Sequence, residues 1–550
     1  MKKSLTLLGL FLCIQAYAGI GDTFNLVIDG NKEVTFKVTN DDEVQVGDGT
    51  NIAVANTISG YLTIPSSVVE KGVTYKVTAI GREAFKDCKS LEYVIIPNSV
   101  IEIGWGAFYG SGLTSITIPN SVKYLDDEVC CECSNLVSAT IGDGVTSIGW
   151  SAFRLCSNLT QVNIGRNVKC IGGYSFAWCK LSDITIPNSV TEIGDYAFSG
   201  CKLTAIDIPD GVKRIGEFAF RSCTYLASVT IPNSVETICR GAFQYSKWDS
   251  NLPEGMNYAG LVAYKYKGTI PADDKIEIKE GTKGIGGDAF SNYNIYSKSN
   301  LTSITIPSSV ISIAGQAFYG CSDLDSIDIP NSVTTIGADA FYGTKWYKNQ
   351  ADGIVYAGLV AYKYKGELPD NGIIELKEGT TGIAEEAFQN CSLMTSVIIP
   401  NGVKNIGAYA FDGCSGFASL TIPNSVESIG YFAFQHSPAT HLTSVYVEWN
   451  TPILLDSSVF FDGNDSYRGQ VTLYVPTGTK AAYENAQYWN EFKEIVEYSV
   501  NDIKAVSNYR HDTVNNTAVY SIDGKPMLGR SSGKLPKGLW IKGNKKVIVK

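Results

Sequence analysis

Apolar and small polar residues alternate in a segment that recurs along most of the chain at intervals of about 23 residues. The segment reads L-T-S-I-T-I-P-N-S-V-x-x-I-G-x-x-A-F-x-x-C, and its first, fourth and sixth positions are apolar. Self-similarity at a fixed short period predicts a solenoid, because each unit buries its apolar positions only against its neighbours. Nearly intact copies cover residues 113–153, 181–201, 203–223, 301–321 and 324–341.

The spacing of apolar residues within one copy predicts the structure of each part of the unit. The L-x-x-L-x-L beginning is the strand signature of a leucine-rich repeat, so Ile116 and Ile118 should point inward and Thr117 outward from a parallel sheet. Proline ends the strand because it cannot donate to the ladder, and Asn-Ser or Asp-Gly makes the next turn. The segment Gly-x-x-Ala-Phe is expected to form a short helical or 3₁₀ turn on the far side, with Phe filling the interior. In one degenerate copy, we assign the phenylalanine position to Val129.

Twice along the chain the marker phenylalanine recurs only after about two units. Both intervals contain Tyr-Ala-Gly-Leu-Val-Ala-Tyr-Lys-Tyr-Lys-Gly, at residues 258–268 and 356–366. We expect a hairpin-bearing double unit in each, near residues 246–282 and 344–380, with the hairpin projecting from the array. We call these segments the first and second cassettes.

The ends of the chain differ from the repeats. The fold class expected is a repeat solenoid of leucine-rich repeats, with a parallel β-sheet, short turns and β-rich terminal domains that shield the apolar faces of the last coils. Lys2 and Lys3, the apolar stretch at residues 5–14 and the small residues before Gly19 predict a secretory signal peptide removed after Ala18. Cys13 could indicate a lipoprotein, but the bulky Leu12 before it favours ordinary cleavage. The predicted domains are a signal peptide at 1–18, an N-terminal β cap at 19–59, the solenoid at 60–435, a C-terminal cap at 436–498 and a β-rich tail at 499–550.

Composition excludes several classes of function. A formal net charge of −10 argues against nucleic acid or anionic membranes as partners. The three histidines, His436, His441 and His511, leave little material for metal or acid–base chemistry, so we expect neither a cofactor nor a metal. After the signal peptide no stretch approaches the ~18 apolar residues of a transmembrane helix. An exported, non-enzymatic protein is expected.

Cysteine follows the repeat phenylalanine by three residues in eight copies. That regularity indicates a structural position in the repeat and not a disulfide framework. Stacked coils would bring neighbouring positions close enough for some disulfides, but we favour buried thiols that act as small hydrophobic groups. Three further cysteines crowd into the degenerate copy without a fourth ligand at a spacing suited to a metal. The regular positions are Cys88, Cys156, Cys179, Cys201, Cys223, Cys321, Cys391 and Cys414, and the crowded ones are Cys130, Cys131 and Cys133.

The combination of strand, Ile-Pro, Asn-Ser-Val, Ile-Gly and Ala-Phe-x-x-Cys resembles the BspA-like, or Treponema-type, leucine-rich repeats over residues 60–435. Residues 473–492 resemble the C-terminal cap common in these proteins. Residues 519–549 resemble the C-terminal sorting tails of Bacteroidetes, which direct secretion through the type IX system. The resemblance implies a secreted or surface-exposed protein of anaerobic bacteria, of a kind that includes adhesins for host matrix proteins or other bacteria.

Two groups of aromatic residues are candidates for ligand contact. One group stands one or two positions before the alanine of Ala-Phe and either forms an exposed stripe or packs between coils as extra core, which we favour. The other group alternates with lysines in the cassettes and either contacts proteins and acidic glycans or covers the solenoid edge. The first group is Trp105, Trp150, Tyr174, Tyr196, Phe218, Tyr409, Tyr431 and Phe432, and the second is Tyr258, Tyr264, Tyr266, Tyr356, Tyr362 and Tyr364.

The outward positions of the strands are mostly Thr, Ser, Asp and Ala, so this face is expected to lack the aromatic anchors that usually supply binding energy. The leading hypothesis is a protein that binds extracellular proteins or surface glycans and mediates adhesion to host or bacterial surfaces. The first alternative is a structural, self-associating surface spacer without a specific ligand. The second is an enzyme such as a glycan hydrolase, which needs a pair of carboxylates across a cleft, and no such pair can be identified.

Overall fold

The chain is a parallel β-solenoid of about 17 turns of about 23 residues with few helices, which confirms the predicted fold class. The described residues form two compact units, residues up to 365 with 382–385, and residues 366–381 with 386 onward. A computed structural model describes residues 18–49, 52–53, 58–270, 276–291, 301–370, 372–435, 442–456, 458–460, 467–486, 488–499, 519–521, 538–542 and 545–549. The predicted signal peptide, apart from Ala18, and the three histidines lie outside these residues.

Most strands are short, as expected for one layer of a coil. In the first half of the chain they are β1 Thr23–Ile28, β2 Lys32–Asn40, β3 Glu43–Val46, β4 Gly60–Thr63, β5 Ser67–Glu70, β6 Val73–Ile80, β7 Leu91–Ile95, β8 Glu102–Ile103, β9 Ser115–Ile118, β10 Tyr124–Leu125, β11 Ser138–Ile141, β12 Ser147–Ile148, β13 Gln161–Asn163, β14 Cys170–Ile171, β15 Glu192–Ile193, β16 Ala205–Asp207, β17 Arg214–Ile215, β18 Ser228–Thr230, β19 Thr237–Ile238, followed by helix α1 Lys247–Ser250, β20 Gly255–Ala259 and β21 Val262–Lys267. The remaining elements are β22 Ile276–Glu277, β23 Gly284–Ile285, β24 Ser303–Thr305, β25 Ser312–Ile313, β26 Ser326–Asp328, β27 Thr335–Ile336, α2 Lys345–Lys348, β28 Gly353–Ala357, β29 Val360–Lys365, β30 Ile373–Glu375, β31 Gly382–Ile383, β32 Ser396–Ile398, β33 Asn405–Ile406, β34 Ser419–Ile422, β35 Ser428–Ile429, β36 Ser444–Val447, a 3₁₀ helix at Tyr467–Gln470, β37 Thr472–Pro476, α3 Lys480–Glu484, a 3₁₀ helix at Trp489–Glu491, β38 Glu494–Tyr498, β39 Val519–Ser521, β40 Gly538–Lys542 and β41 Lys545–Val549.

Each coil of the first unit contributes to two parallel ladders. The L-x-x-L-x-L segments form one, in the order β13-β11-β9, and the x-Ile-Gly segments form the other, in the order β12-β14-β15-β17-β19. Equivalent isoleucines are in register, Ile171 beside Ile193 and Ile193 beside Ile215, and all three are buried. Before the repeats, β1, β2 and β3 form an antiparallel sheet that joins the second ladder through β6.

Marker phenylalanines stack along the interior of the solenoid. Phe153, Phe176, Phe198, Phe220 and Phe243 are fully buried, and successive ring centroids lie 5.4, 5.5, 5.3 and 5.2 Å apart with nearly parallel planes. That separation is slightly wider than the ~4.8 Å between hydrogen-bonded strands, so each ring is offset against the next, as aromatic pairs prefer. The phenylalanine row is therefore a continuous core along the axis.

The Gly-x-x-Ala-Phe segments form tight turns, and the expectation of short helical or 3₁₀ turns there was wrong. The residues two before and two after the phenylalanine have positive φ, as in Tyr174 (55°) and Trp178 (58°) around Phe176. Left-handed residues four positions apart interrupt any helix. The turns are held instead by a third ladder, in which alternate N–H groups donate to the next coil, for example Tyr174 to Asp195 at 2.8 Å and Trp178 to Ser199 at 2.7 Å.

None of the thirteen described cysteines from Cys88 to Cys414 forms a disulfide. In seven copies the thiol donates to the carbonyl of the phenylalanine position in the preceding coil, as Cys201 does to Phe176 at 3.2 Å. Cys133 makes the same bond to Phe108, and the Cys130 N–H donates to Ala152 as a phenylalanine would. Cys130 therefore occupies the phenylalanine position of the degenerate copy, and its assignment to Val129 was wrong. Burial raises the pKa of the Cys88, Cys223 and Cys321 thiols to about 12.

Both cassettes contain an antiparallel hairpin, β20 with β21 and β28 with β29, but neither hairpin projects from the array. The second strand of each pairs in parallel with the next coil, Val262 beside Gly284 and Val360 beside Gly382. A short helix precedes each hairpin. It is capped by Ser246 or Thr344, which occupy the position that is cysteine in most copies.

The second unit repeats the same coil. Its long strands pair as β30-β32, its short strands as β33-β35, and Phe388, Phe411 and Phe434 form a stacked row within this unit. The sheet β34-β36-β37-β38 follows, with α3 covering it. Residues 480–497 have helical spacing, but α3 ends at Glu484 and residues 494–498 form a strand. The described part of the tail is the antiparallel sheet β39-β40-β41.

Candidate ligand-binding surface

The coils of the first unit expose two different surfaces. We call the outward residues of the long strands the strand face, and those of the left-handed turns around Ala-Phe the turn face. Hydroxyl side chains on the strand face donate to the neighbouring coil, as Thr114 does to the carbonyl of Glu92 at 3.1 Å. The prediction that this face lacks aromatic anchors fails at one end, where Tyr61 and Tyr93 stack at 4.9 Å and Tyr61 is 54% exposed.

The predicted aromatic row lies on the turn face, where Trp150, Tyr174 and Tyr196 are half-buried and Phe218 is buried. Trp150, Tyr174, Tyr196 and Phe218 stack from coil to coil with centroid separations of 5.0, 4.5 and 4.9 Å. Burial and the neighbouring Tyr196 raise the pKa of Tyr174 to about 12, so its hydroxyl stays a hydrogen-bond donor at neutral pH. The stack hides most ring faces and leaves ring edges at the surface. The rings pack between coils, which is the interpretation that we favour from the sequence. The row nevertheless remains partly accessible.

Glycines of the following coil make room for these rings. A Cβ at Gly173 would lie 2.5 Å from the Trp150 ring, and one at Gly241 would lie 2.3 Å from the Phe218 ring. No side chain can occupy such a position without displacing the aromatic ring. In the sequence, an aromatic residue followed by glycine 23 positions later therefore indicates this stacking.

Two arginines lie against exposed aromatic residues beside the row. The Arg154 guanidinium carbon is 5.8 Å from the Tyr174 centroid and 5.5 Å from the Trp178 centroid. In the same way Arg221 lies 5.0 Å from Phe218 and 5.5 Å from Tyr245. Trp178 is 43% and Tyr245 59% exposed. We call these two groups the arginine clamps.

Trp105 lies at another part of the turn face of the first unit. Arg82 covers its ring at 4.3 Å, and both line a cleft of about 280 Å³ with Lys37, Glu102 and Asp126. Two cations and two acids share this cleft, so it has no single charge preference. In the second unit, Tyr409 stacks on Phe432 at 5.2 Å and meets Tyr431 edge-on at 5.3 Å.

The cassette tyrosines are largely part of the structure. Tyr264 is buried and donates to Asp249 at 2.9 Å, and Tyr362 is buried and accepts the Phe341 N–H at 3.1 Å. Both are inaccessible because their strands join the ladder. Tyr258 is half-buried and accepts the Lys279 N–H at 3.0 Å. The other three, Tyr266, Tyr356 and Tyr364, are also half-buried.

A group of acids lies on the turn face beyond the aromatic row. Asp195 accepts the Glu217 N–H at 2.7 Å and pairs with Arg214 at 3.3 Å, while Glu385 accepts the Ala338 N–H at 3.0 Å. Burial, followed by the charges of Asp195 and Glu385, raises the pKa of Glu217 to about 8. Glu217 therefore carries little negative charge at neutral pH.

Two kinds of site are not found in the part of the chain that the structure covers. No cluster of three or more His, Cys, Asp or Glu residues there is arranged to hold a metal ion. None of its helices has the length and apolar character needed to cross a membrane.

Sequence reasoning did not find the exposed members of this surface. Trp178, Tyr245 and the two arginines lie outside the Gly-x-x-Ala-Phe signature that directed the search. Their signal is a spacing of 24 residues, since Arg154 precedes Trp178 and Arg221 precedes Tyr245 by that interval. The interval places the arginine one position after a phenylalanine and the aromatic residue two positions after the next phenylalanine.

Comparison with known proteins agrees with this architecture. The sequence matches the family described as BspA type leucine rich repeat region in six copies, over residues 66–179, 146–271, 292–352 and 373–462. Among curated proteins none matches.

Several solved structures are similar to the chain. A leucine rich cell surface protein from Faecalibacterium prausnitzii is 25% identical, with 72% of this chain and 93% of that one covered and a TM-score of 0.31. A leucine-rich repeat protein from Bacteroides ovatus is 24% identical, covering 86% and 100%, with a TM-score of 0.28. The pneumococcal vaccine antigen PcpA is 17% identical, covering 88% and 100%, with a TM-score of 0.34. The family match extends over more than half of the residues of this chain. The chain therefore belongs to the BspA-type leucine-rich repeat family.

Proposed function

We propose that this protein is exported to the bacterial surface and binds an extracellular protein or surface glycan there, in the role of an adhesin. The observation that carries the proposal is the turn face of the first unit, where Trp178 and Tyr245 are exposed beside a stacked aromatic row. Exposed aromatic residues next to arginine are enriched where proteins recognise partners. On the strand face, hydroxyl groups such as those of Thr114 and Thr160 already donate to the neighbouring coil.

A binding function suits the fold better than catalysis. BspA-type solenoids are typically non-enzymatic binding proteins. The predicted signal peptide and the resemblance to surface-exposed proteins of anaerobic bacteria support an extracellular location. The predicted sorting tail supports the same location.

The test is binding of the purified protein to immobilised matrix proteins, mucin and bacterial surface glycans, measured by surface plasmon resonance. The informative variant is Trp178→Ala with Tyr245→Ala, which removes the exposed aromatics of the turn face. The matched control is Tyr61→Ala with Tyr225→Ala, since these tyrosines are 54% and 58% exposed but lie away from the turn face.

We expect saturable binding to at least one panel member, about tenfold or more weaker in the turn-face variant, because exposed aromatic anchors often carry 1–2 kcal/mol of binding energy each. The control should bind within about twofold of the unmodified protein. Equal loss in both variants would contradict a turn-face site. Absence of binding together with concentration-dependent assembly would favour the structural spacer instead.

A further inference from the structure

The two arginine clamps repeat one chemical arrangement at a fixed distance. In each, a guanidinium lies within 5.8 Å of two aromatic centroids, one of which belongs to an exposed side chain. Backbone hydrogen bonds lead from Leu155 to Ala177, from Trp178 to Ser199 and from Gly200 to Arg221, so the clamps are three coils apart. At the strand spacing of ~4.8 Å this is about 14 Å along the solenoid.

In the described part of the chain, the guanidinium groups of the clamps have no ion-pair partner at contact distance, and because Nε is buried, a ligand would be bound by the Nη groups. Among the described residues, neither Arg154 nor Arg221 forms an ion pair, and the Nε of each is buried without a hydrogen-bond partner. Two other arginines of the first unit differ: Arg214 pairs with Glu192 at 3.0 Å, and Arg166 with Asp143 at 2.8 Å. A guanidinium that lies beside aromatic rings with no carboxylate at ion-pair distance is positioned to bind an anion, and at Arg154 the more distant charge of Glu128 is an acidic influence that such an anion meets.

We infer that the two arginine clamps together bind an anionic polysaccharide. Its carboxylate or sulfate groups pair with Arg154 and Arg221, and its sugar rings pack on Trp178 and Tyr245. This inference rests on the proposed binding function and names the class of ligand for the same turn face. Arg240, 4.8 Å from the Phe218 ring, adds a third cation at the second clamp.

A polymer fits the arrangement better than a small anion, because about 14 Å separates the clamps and one small ion cannot reach both. A glycan fits better than an acidic peptide because each clamp places an aromatic ring beside the cation. The ring can pack against the C–H face of a pyranose while the guanidinium binds its acidic group. The formal net charge of −10 does not favour polyanions in general, so the attraction is confined to the clamps.

The experiment measures binding of the whole protein to heparin, hyaluronan, dextran and poly-L-glutamate by biolayer interferometry. The clamp variant is Arg154→Gln with Arg221→Gln. Its control is Arg166→Gln with Lys213→Gln, which removes the same net charge from exposed side chains paired with Asp143 and Glu236. A second clamp variant, Arg154→Lys with Arg221→Lys, keeps both charges and removes the planar fork. Thermal unfolding of each variant shows whether it is folded.

We expect saturable binding to heparin or hyaluronan and none to dextran, with the dissociation constant raised about tenfold or more by the glutamine clamp variant. The lysine variant should fall between the glutamine variant and the unmodified protein, and the control should change by less than about twofold. If the glutamine variant fails to fold, the lysine variant decides. Weaker binding by the lysine variant supports the inference that the clamps bind the polysaccharide, and unchanged binding overturns it.

Other outcomes separate this inference from the proposed function. Equal weakening by the clamp variant and the charge-matched control would show a diffuse charge effect and overturn the inference. Tighter binding to poly-L-glutamate than to either glycan would assign the clamps to acidic peptides and also overturn it. If no polyanion binds but a matrix protein does so through Trp178 and Tyr245, the proposed function stands and this inference falls. If nothing in either panel binds, both fall.

Discussion

The strand face and the turn face of the first unit belong to the same coils but differ in backbone and in chemistry. On the strand face, extended backbone alternates side chains in and out, and hydroxyl groups such as those of Thr114 and Thr160 donate to carbonyls of the preceding coil. On the turn face, left-handed residues such as Tyr174 and Phe218 place large rings against the next coil. On the strand face these hydroxyl groups are already bonded, whereas the turn face leaves the rings of Trp178 and Tyr245 exposed beside half-buried arginines.

The difference teaches where a repetitive fold can place recognition chemistry. A left-handed non-glycine residue is uncommon and costs of order 1 kcal/mol, and ring stacking offsets that cost at Tyr174, Tyr196 and Phe218. Stacking holds the backbone, and Trp178 and Tyr245, each two positions beyond a phenylalanine, remain exposed. The turn face is thus a rigid scaffold that carries variable side chains, as binding loops are in other folds.

The largest difference between the two faces should appear when a ring beneath the turn face is removed. Phe198 is fully buried between Phe176 and Phe220, so Phe198→Ala should lower the free energy of unfolding by about 3–5 kcal/mol. On the strand face, Thr204→Ala should change it by less than about 0.5 kcal/mol. Urea denaturation followed by circular dichroism measures both, and similar values would remove the contrast.

A smaller effect should follow when a glycine that accommodates a turn-face ring is replaced. Gly241→Ala places a Cβ 2.3 Å from the Phe218 ring at φ +60°, whereas Gly281→Ala places one in open space at φ +84°. Both substitutions lose the conformational freedom of glycine at positive φ. The difference between their effects on the free energy of unfolding therefore reports the cost of displacing the Phe218 ring. We expect Gly241→Ala to lower the free energy of unfolding by about 1–3 kcal/mol more than Gly281→Ala does, as measured by thermal unfolding. Equal costs would show that the ring moves freely.

The pH dependence of stability should distinguish the faces through Glu217. Its pKa rises from an ordinary 4.5 to about 8 in the folded protein, so the native state binds more protons than the unfolded state between these values. Stability contributed by this group is complete below about pH 4.5 and decreases as the pH rises to about 8.

Glu217→Gln removes that dependence. The variant should gain free energy of unfolding relative to the original protein between pH 5 and pH 8.5. Thr204→Ala serves as the control and should show no such change. A constant difference between Glu217→Gln and the original protein across this range would disprove a raised pKa.

The smallest change in stability should follow a substitution among the cysteines that stand three residues after the repeat phenylalanines. Cys201→Ser should cost at most about 1 kcal/mol, because serine keeps a donor for the Phe176 carbonyl and Ser111 occupies the same position in another coil. Mass spectrometry after alkylation of the unfolded, non-reduced protein should find free thiols at all thirteen positions. A disulfide at any of them would contradict the structural role of the row.

Periodicity predicted the coil and its core but not the turn face. Inward isoleucines and marker phenylalanines recur at one spacing, so a single pattern reveals them. The left-handed turns follow no such rule, because glycine, tyrosine, glutamate and serine all occupy them. The arginine clamps join residues at unlike positions of adjacent coils, and only the register of the coils reveals the interval of 24 residues. Alternation with lysine leaves open whether Tyr264 and Tyr362 contact a ligand or cover the solenoid edge, because it does not show which strand of a hairpin joins a ladder; the structure buries both.

Binding on the turn face is the central claim, and oxidative footprinting with a bound partner tests it most directly. The protein is exposed to hydroxyl radicals with and without the glycan or protein that binds, and the modification of each aromatic residue is read by mass spectrometry. We predict that the partner protects Trp178 and Tyr245 and leaves Tyr61 and Tyr225 as reactive as before. Protection of Tyr61, with Trp178 and Tyr245 unchanged, would place the site on the strand face and contradict the claim.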